Sequence, residues 1–308
     1  MSDNVCVFSG QGAQVPGMGK DLAADAEIAA LFERADQVLG FGLSKVCFEG
    51  PAEELTKSNI CQPAIFTVSV AAFRAFQKRC PQASFKMAAG LSLGEWTALY
   101  VAGVLDFESA LKVLEARGRF MQQACEEQAS GMVSIMGATA EQIRTICETA
   151  GITVANINSD AQVVLSGLKT GVAAAAQKAG ELGVKAIVLN VAGAFHSPLM
   201  ASARAKLSDV IGDVAFNVPK MPVLANVTGA PHSSDPAAIR ETMLRQVTES
   251  VRWSDCITCA IGAGAKNFVE FGPGKVLSGL IRRIDKGVAT LNVQDVPSLE
   301  QAAQAFAG

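Results

Sequence analysis

An α/β fold carrying a second, smaller unit as an insert is what this sequence predicts, and three observations carry the expectation. Short apolar runs of strand length alternate with helical periods along most of the chain, the pattern of a sheet with helices on both faces. Between residues 128 and 193 the rhythm changes to β-α-β-β-α-β, the split ferredoxin-like order. Half of the 308 residues are hydrophobic and 18% are charged, so a sizeable core can form. The expected organisation is a large subdomain in two parts, 1–127 and 194–308, interrupted by a small one at 128–193.

In chain order, residues 5–8 read as a buried strand that runs into the tight loop Ser9-Gly10-Gln11-Gly12. Helical periods follow at 21–39 and 64–77, with Pro51 and its acidic neighbours suiting another helix start. A strand at 85–90 passes into a helix at 92–101, and Asp106 caps a helix through about 125. The insert reads as strand 132–136, helix 140–150, strands 152–157 and 162–166, helix 171–182 and strand 185–191. Beyond it come helix 198–211, strand 222–226, helices 236–246 and 253–261, strand 267–271 and helix 275–284.

Composition removes several function classes. A net charge of -3 argues against a nucleic-acid binder, which shows a basic stripe, and 6% aromatic residues offer few stacking platforms. Eight scattered cysteines in a chain this long suggest reduced thiols rather than a disulfide framework. Cys256 and Cys259 form a single C-x-x-C without a second pair, and two histidines leave a zinc site short of ligands, so no metal is expected. The apolar run 62–76 is broken by Pro63, Thr67, Ser69 and Arg74 and is too short for a bilayer. No secretory leader is legible at the start, and a protein off the membrane is expected.

The sharpest local signal is Gly90-Leu91-Ser92-Leu93-Gly94 between a strand and a helix. Small residues at both ends allow a strained turn that lifts a serine hydroxyl above the sheet. A serine nucleophile needs a base, and only His196 and His232 exist. His196 sits at a strand end before a Pro-opened helix, where active-site groups of α/β sheets gather. His232 lies in a polar turn, Ala230 to Pro236, and reads as solvated. Arg117 shares its helical face with Val113, Leu114, Phe120 and Met121, whereas Arg119 can pair with Glu115 on the wet face. A guanidinium pointing with the apolar stripe is either half of a structural ion pair or the receptor of a substrate carboxylate. Gly10-Gln11-Gly12-Ala13-Gln14 lacks the third glycine of a dinucleotide fingerprint, and Gly272-Pro273-Gly274-Lys275 is no P-loop, yet the first loop can offer N–H groups to an oxyanion.

Taken in order, these segments resemble the malonyl-CoA:acyl carrier protein transacylase family. The resemblance rests on Gly10 to Gln14, Gly90 to Glu95, Arg117 within Ala116 to Gln122, Val154-Ala155-Asn156-Ile157-Asn158, Gly193 to Met200, Arg245-Gln246 and Phe271 to Lys275, spread over nearly the whole chain. It implies an α/β-hydrolase-like large part with a ferredoxin-like small part. It implies Ser92 as the acyl-accepting nucleophile, His196 as its base, the backbone N–H groups of Gln11 and Leu93 as the oxyanion hole, and Arg117 as the holder of the malonyl carboxylate. Gln246 matches the residue whose main-chain carbonyl orients the histidine. Phe195 and Met121 are expected to set acyl specificity, with a bulky Phe195 crowding an α-methyl branch. The implied substrates are malonyl-CoA and the phosphopantetheine of acyl carrier protein; no cofactor and a monomeric chain are expected. Leu91 stands where many bacterial members have His. That departure resembles plastid members, as do Val191-Ala192, Pro231-His232 and Arg245-Gln246-Val247-Thr248. The implied location is the plastid stroma for a mature form freed of its transit peptide, with the bacterial cytoplasm as the alternative. Two rival readings use the same residues. A serine hydrolase would place a third carboxylate near His196, and a non-catalytic carrier-binding module would use the basic cluster Arg282, Arg283 and Lys286.

Overall fold

Four consecutive apolar residues, Val5 to Phe8, are all buried, because β1 (Asn4–Phe8) lies inside a sheet covered on both faces. The structure, a computed structural model, describes residues 3–307. After β1 come helices α1 (Ala26–Leu39), α2 (Leu43–Glu49), α3 (Ala52–Thr56) and α4 (Ser58–Arg79). Strand β2 (Met87–Gly90) turns directly into α5 (Leu93–Val101), and α6 (Phe107–Glu127) leads to the insert. The insert holds β3 (Ser130–Met136), α7 (Ala140–Ala150), β4 (Thr153–Ser159), β5 (Gln162–Leu168), α8 (Lys169–Glu181) and β6 (Lys185–Val188). The chain returns through α9 (Ala201–Gly212), α10 (Pro236–Arg245), α11 (Trp253–Gly262), β7 (Asn267–Phe271), α12 (Val276–Ile284), β8 (Ala289–Val293) and α13 (Val296–Ala307).

The large sheet runs β2-β1-β7-β8 with every pairing parallel. Phe8 is in register with both Gly90 and Phe271, so the loops after β1, β2 and β7 leave the same edge of the sheet. Ligands of open α/β sheets bind at that carboxyl edge. The small sheet runs β4-β5-β3-β6, all antiparallel, with α7 and α8 as its crossing helices. That order is the ferredoxin-like one expected from the β-α-β-β-α-β pattern.

Period-two alternation decides which side of the sheet each residue serves. Cys6 and Phe8 join the larger core with α4 and α6, while Val5 and Val7 join a second core with Trp253, Ile257 and Phe268. Phe8, Phe73, Phe76 and Phe271 pack with ring centroids 5.2–5.9 Å apart directly under the carboxyl edge. Each such pair adds roughly 0.5–1.5 kcal/mol beyond area burial. The insert has its own core of Val133, Ile135, Ile146 and Leu165. Met132, Ala155 and Val164, on the opposite face of its sheet, belong to the large core instead.

Several expected boundaries move for local reasons. The first helix starts at Ala26 rather than near 21, because the Asp25 carboxylate accepts from the N–H groups of Glu27 and Ile28 and so caps it there. Helix α4 begins at Ser58 and runs through Pro63, six residues ahead of the expectation. Residues 222–226 form no strand of their own; Val223 makes an isolated parallel bridge to Ala88. Strand β6 stops at Val188, and 198–200 form a 3-10 turn before α9. The sequence pattern does not anticipate β8 or α13. Among the described residues no helix is long and apolar enough to cross a membrane.

Candidate active site

Ser92 occupies the sharp bend between β2 and α5 with φ 54° and ψ -106°. A non-glycine residue held there stores on the order of 1–3 kcal/mol of backbone strain. The flanking glycines explain how the bend closes. A Cβ at Gly90 would lie 2.0 Å from the Gly94 carbonyl carbon, and one at Gly94 would lie 2.2 Å from the Phe8 carbonyl oxygen. Asn226 braces the bend: its Oδ1 accepts the Ser92 N–H at 2.7 Å, and its Nδ2 donates to the Gly90 carbonyl at 2.8 Å.

His196, also at positive φ (55°), brings its Nε2 to 2.8 Å from Ser92 Oγ. Its Nδ1 lies 2.8 Å from the backbone carbonyl of Gln246. A carbonyl only accepts, so Nδ1 carries the hydrogen and Nε2 presents its lone pair to the serine hydroxyl. Burial, followed by the nearby positive charge of Arg117, pushes the His196 pKa down to about 4. The imidazole is therefore neutral at pH 7 and able to take a proton.

Arg117 projects from α6 and is 1% exposed. Its neighbour Gly118 lets α6 and α4 touch, since a Cβ there would sit 2.2 Å from the Ser58 carbonyl oxygen. The guanidinium donates through Nη1 to Gln62 Oε1 at 2.7 Å, and through Nη2 to Ser92 Oγ and Gln246 Oε1, both at 3.0 Å. Nε has no partner among the described residues. No carboxylate pairs directly with it among the described residues, so of the two readings of a buried arginine the direct structural ion pair falls away. Burial lowers its pKa to about 10, against the opposing pull of Glu95. Arg119, by contrast, pairs with Glu115 at 3.1 Å on the exposed face.

These groups open onto a cavity of about 740 Å³ between the two subdomains. Gln11, Ser92, Arg117, Met121, Phe195 and His196 line it from the large one; Asn156, Asn158 and Val164 face them from the small sheet. Met121 and Phe195 are 2% and 8% exposed. Gln11 follows β1 and anchors its side chain by donating to Ser58 Oγ at 3.1 Å. Leu93 is the first residue of α5, so its N–H has no intrahelical acceptor and lies next to Ser92. Arg282, Arg283 and Lys286 do not line the cavity.

One expectation is overturned. His232 is not solvated: its side chain is 1% exposed, and Nε2 lies 2.6 Å from Oε1 of Glu95, itself fully buried. Its turn packs back over the start of α5, which a string of polar residues does not reveal. The sequence reading also missed Asn226, Gln62 and Glu95. Glu95 carries a faint signal, a carboxylate three residues past the elbow serine; nothing local distinguishes Asn226.

A bent strand–helix junction that sets a serine against a histidine above a parallel sheet defines the α/β-hydrolase-like class of proteins. Within it, the chain belongs to the acyl transferase family, whose domain model matches residues 5–304. It is similar to malonyl CoA-acyl carrier protein transacylase of Bacillus subtilis, 38% identical over 99% of this chain and 97% of the relative. Among solved structures it is similar to malonyl CoA-acyl carrier protein transacylase from Clostridium perfringens, at 35% identity and a TM-score of 0.95 over 99% and 98% of the two chains. A structure described as a type II PKS acyl-carrier protein in complex with its malonyl-transacylase matches at 37% identity and a TM-score of 0.94, covering 99% of this chain and all of the other.

Proposed function

We propose that this protein moves a malonyl group from malonyl-CoA to the phosphopantetheine thiol of acyl carrier protein, through a malonyl ester on Ser92. The observation that carries the reading is that Ser92 Oγ meets His196 Nε2 and Arg117 Nη2 at once, at 2.8 and 3.0 Å. In a malonyl group the free carboxylate is two bonds from the carbonyl carbon that the serine attacks. A guanidinium touching the serine oxygen is therefore within reach of that carboxylate and can grip it with two parallel N–H bonds.

His196 takes the Ser92 proton as Oγ attacks the thioester carbonyl, and the negative oxygen rests on the N–H groups of Gln11 and Leu93. Each such donor is worth about 3–4 kcal/mol in the transition state. The tetrahedral adduct collapses, the C–S bond breaks, and His196 returns its proton to the departing thiolate of coenzyme A. The carrier's thiol then gives its proton to His196 and attacks malonyl-Ser92, and Ser92 regains a proton as it leaves, a ping-pong cycle without metal or redox cofactor. Phe195 and Met121 wall the acyl end of the cavity and favour an unbranched malonyl group. Gln246 supplies the carbonyl that holds His196. A hydrolase would be expected to have a carboxylate at His196 Nδ1, where this protein has that carbonyl.

These groups suit fatty-acid synthesis. Leu91 and the other plastid-like segments support the plastid stroma as its location, with the bacterial cytoplasm as the alternative. The deciding experiment is intact-mass spectrometry after mixing with malonyl-CoA. The wild type should gain one malonyl group and Ser92→Ala none; an adduct persisting on the alanine variant removes Ser92 from this role.

A further inference from the structure

Beneath the reacting groups lies a buried carboxylate that the mechanism above does not use. Glu95 is fully buried in the first turn of α5, and both its oxygens are engaged. Oε1 accepts from His232 Nε2 at 2.6 Å; Oε2 accepts from Gln246 Nε2 at 2.6 Å and from the Asn226 backbone N–H at 3.2 Å. Its two clients on Oε2 are the residues that hold the site together. Gln246 donates to the Ser92 carbonyl at 2.9 Å, accepts from Arg117 Nη2 on its amide oxygen, and accepts from His196 Nδ1 on its backbone carbonyl. Asn226 braces the elbow from the other side.

We propose that Glu95, held by His232, is a positioning residue for malonyl transfer: it orients the Gln246 amide toward Arg117 and supplies the buried negative charge that answers the guanidinium. This inference rests on the transfer reaction proposed above. The Gln246 amide has one satisfying orientation. With a carboxylate and a carbonyl beside its nitrogen and a guanidinium beside its oxygen, a flip would set like against like. The amide thus links carboxylate to guanidinium, and a buried cation otherwise surrounded by neutral partners gains an anion one residue away.

His232 holds that carboxylate by its other oxygen. Its Nε2 faces the carboxylate and carries a hydrogen, while Nδ1 is buried without a partner among the described residues. The other titratable groups nearby are Arg117, reached through Gln246 and itself facing His196, and the Cys256 thiol of α11, which burial holds protonated.

The test compares Glu95→Gln, His232→Gln and His232→Leu in steady-state transfer from malonyl-CoA and acetyl-CoA across pH. Losing the anion makes Arg117 shed its proton at lower pH. Glu95→Gln should therefore lower malonyl kcat/KM by about tenfold or more relative to acetyl and move the alkaline limb of malonyl transfer to lower pH. His232→Gln, which keeps an N–H for Glu95, should stay near wild type, while His232→Leu should share the defect. An unchanged malonyl-to-acetyl ratio and alkaline limb in Glu95→Gln would overturn the proposal. If that variant does not fold, the histidine pair decides, and His232→Leu matching wild type overturns it. A wild type that makes no malonyl adduct refutes the proposed transfer itself, an outcome distinct from variants that behave alike.

Discussion

At the scale of single residues, the site is a contest between burial and charge. Arg117 is buried with neutral side chains on its Nη atoms, so a substrate that brings its own carboxylate satisfies it, and one that does not leaves it short. Arg117→Ala should lower malonyl kcat/KM by roughly a hundredfold or more while leaving acetyl transfer unchanged or raised. Parallel kinetics with the two acyl-CoAs check this, and equal losses would make Arg117 structural. His196 offers a pH signature. Its folded pKa of about 4 lies below the ordinary 6.5, and the base works only when unprotonated. Activity should persist as pH falls through 6.5 and fade only near 4 in the kcat/KM profile. In the same window the unfolded chain binds a proton that the folded one refuses, so this histidine subtracts stability as pH drops from about 6.5 toward 4.

Elements meet at glycines, and two of them predict opposite signs. Gly94 lies where α5 passes β1, with the Phe8 carbonyl 2.2 Å from any added Cβ. Backbone cannot yield there as a flexible side chain would, so Gly94→Ala should destabilise by about 3 kcal/mol, at the upper end for overpacking, and displace the serine. Gly180, near the end of α8, meets nothing within 4 Å and has ordinary helical backbone. Gly180→Ala should stabilise by about 0.5–1 kcal/mol through reduced freedom of the unfolded chain. Urea unfolding of both variants reads the two signs, and the same sign in both would break the argument.

Across the whole molecule, the question is whether the insert unfolds by itself. It has a private core around Leu165, but Met132, Ala155 and Val164 belong to the large core. Backbone bonds Val251 N–H to Ala155 and Ile157 N–H to Val251, 2.8 and 2.9 Å, stitch the two parts. Leu165→Ala should cost about 2–5 kcal/mol. Both tryptophans, Trp96 and Trp253, lie in the large subdomain's cores. If the halves unfold together, the variant lowers the midpoint seen by tryptophan fluorescence as much as that seen by far-ultraviolet circular dichroism. A fluorescence midpoint that does not move would mark the insert as a separate unit.

Patterns of two and 3.6 residues are local, which is why the alternating strands and helices, the β-α-β-β-α-β insert and the elbow at Ser92 were legible in the sequence alone. With only two histidines in the chain, His196 was legible as well. Arg117 could be singled out by its helical face but not assigned, because whether a carboxylate stands opposite a buried guanidinium depends on chain 25 to 129 residues away. The same holds for Asn226, 134 residues from the serine it braces, and for His232, whose polar turn reads as wet until its ring is found against Glu95. Desolvation is a property of what packs around a group, not of its neighbours in the chain, so the charge balance of this site was decided only by the tertiary structure.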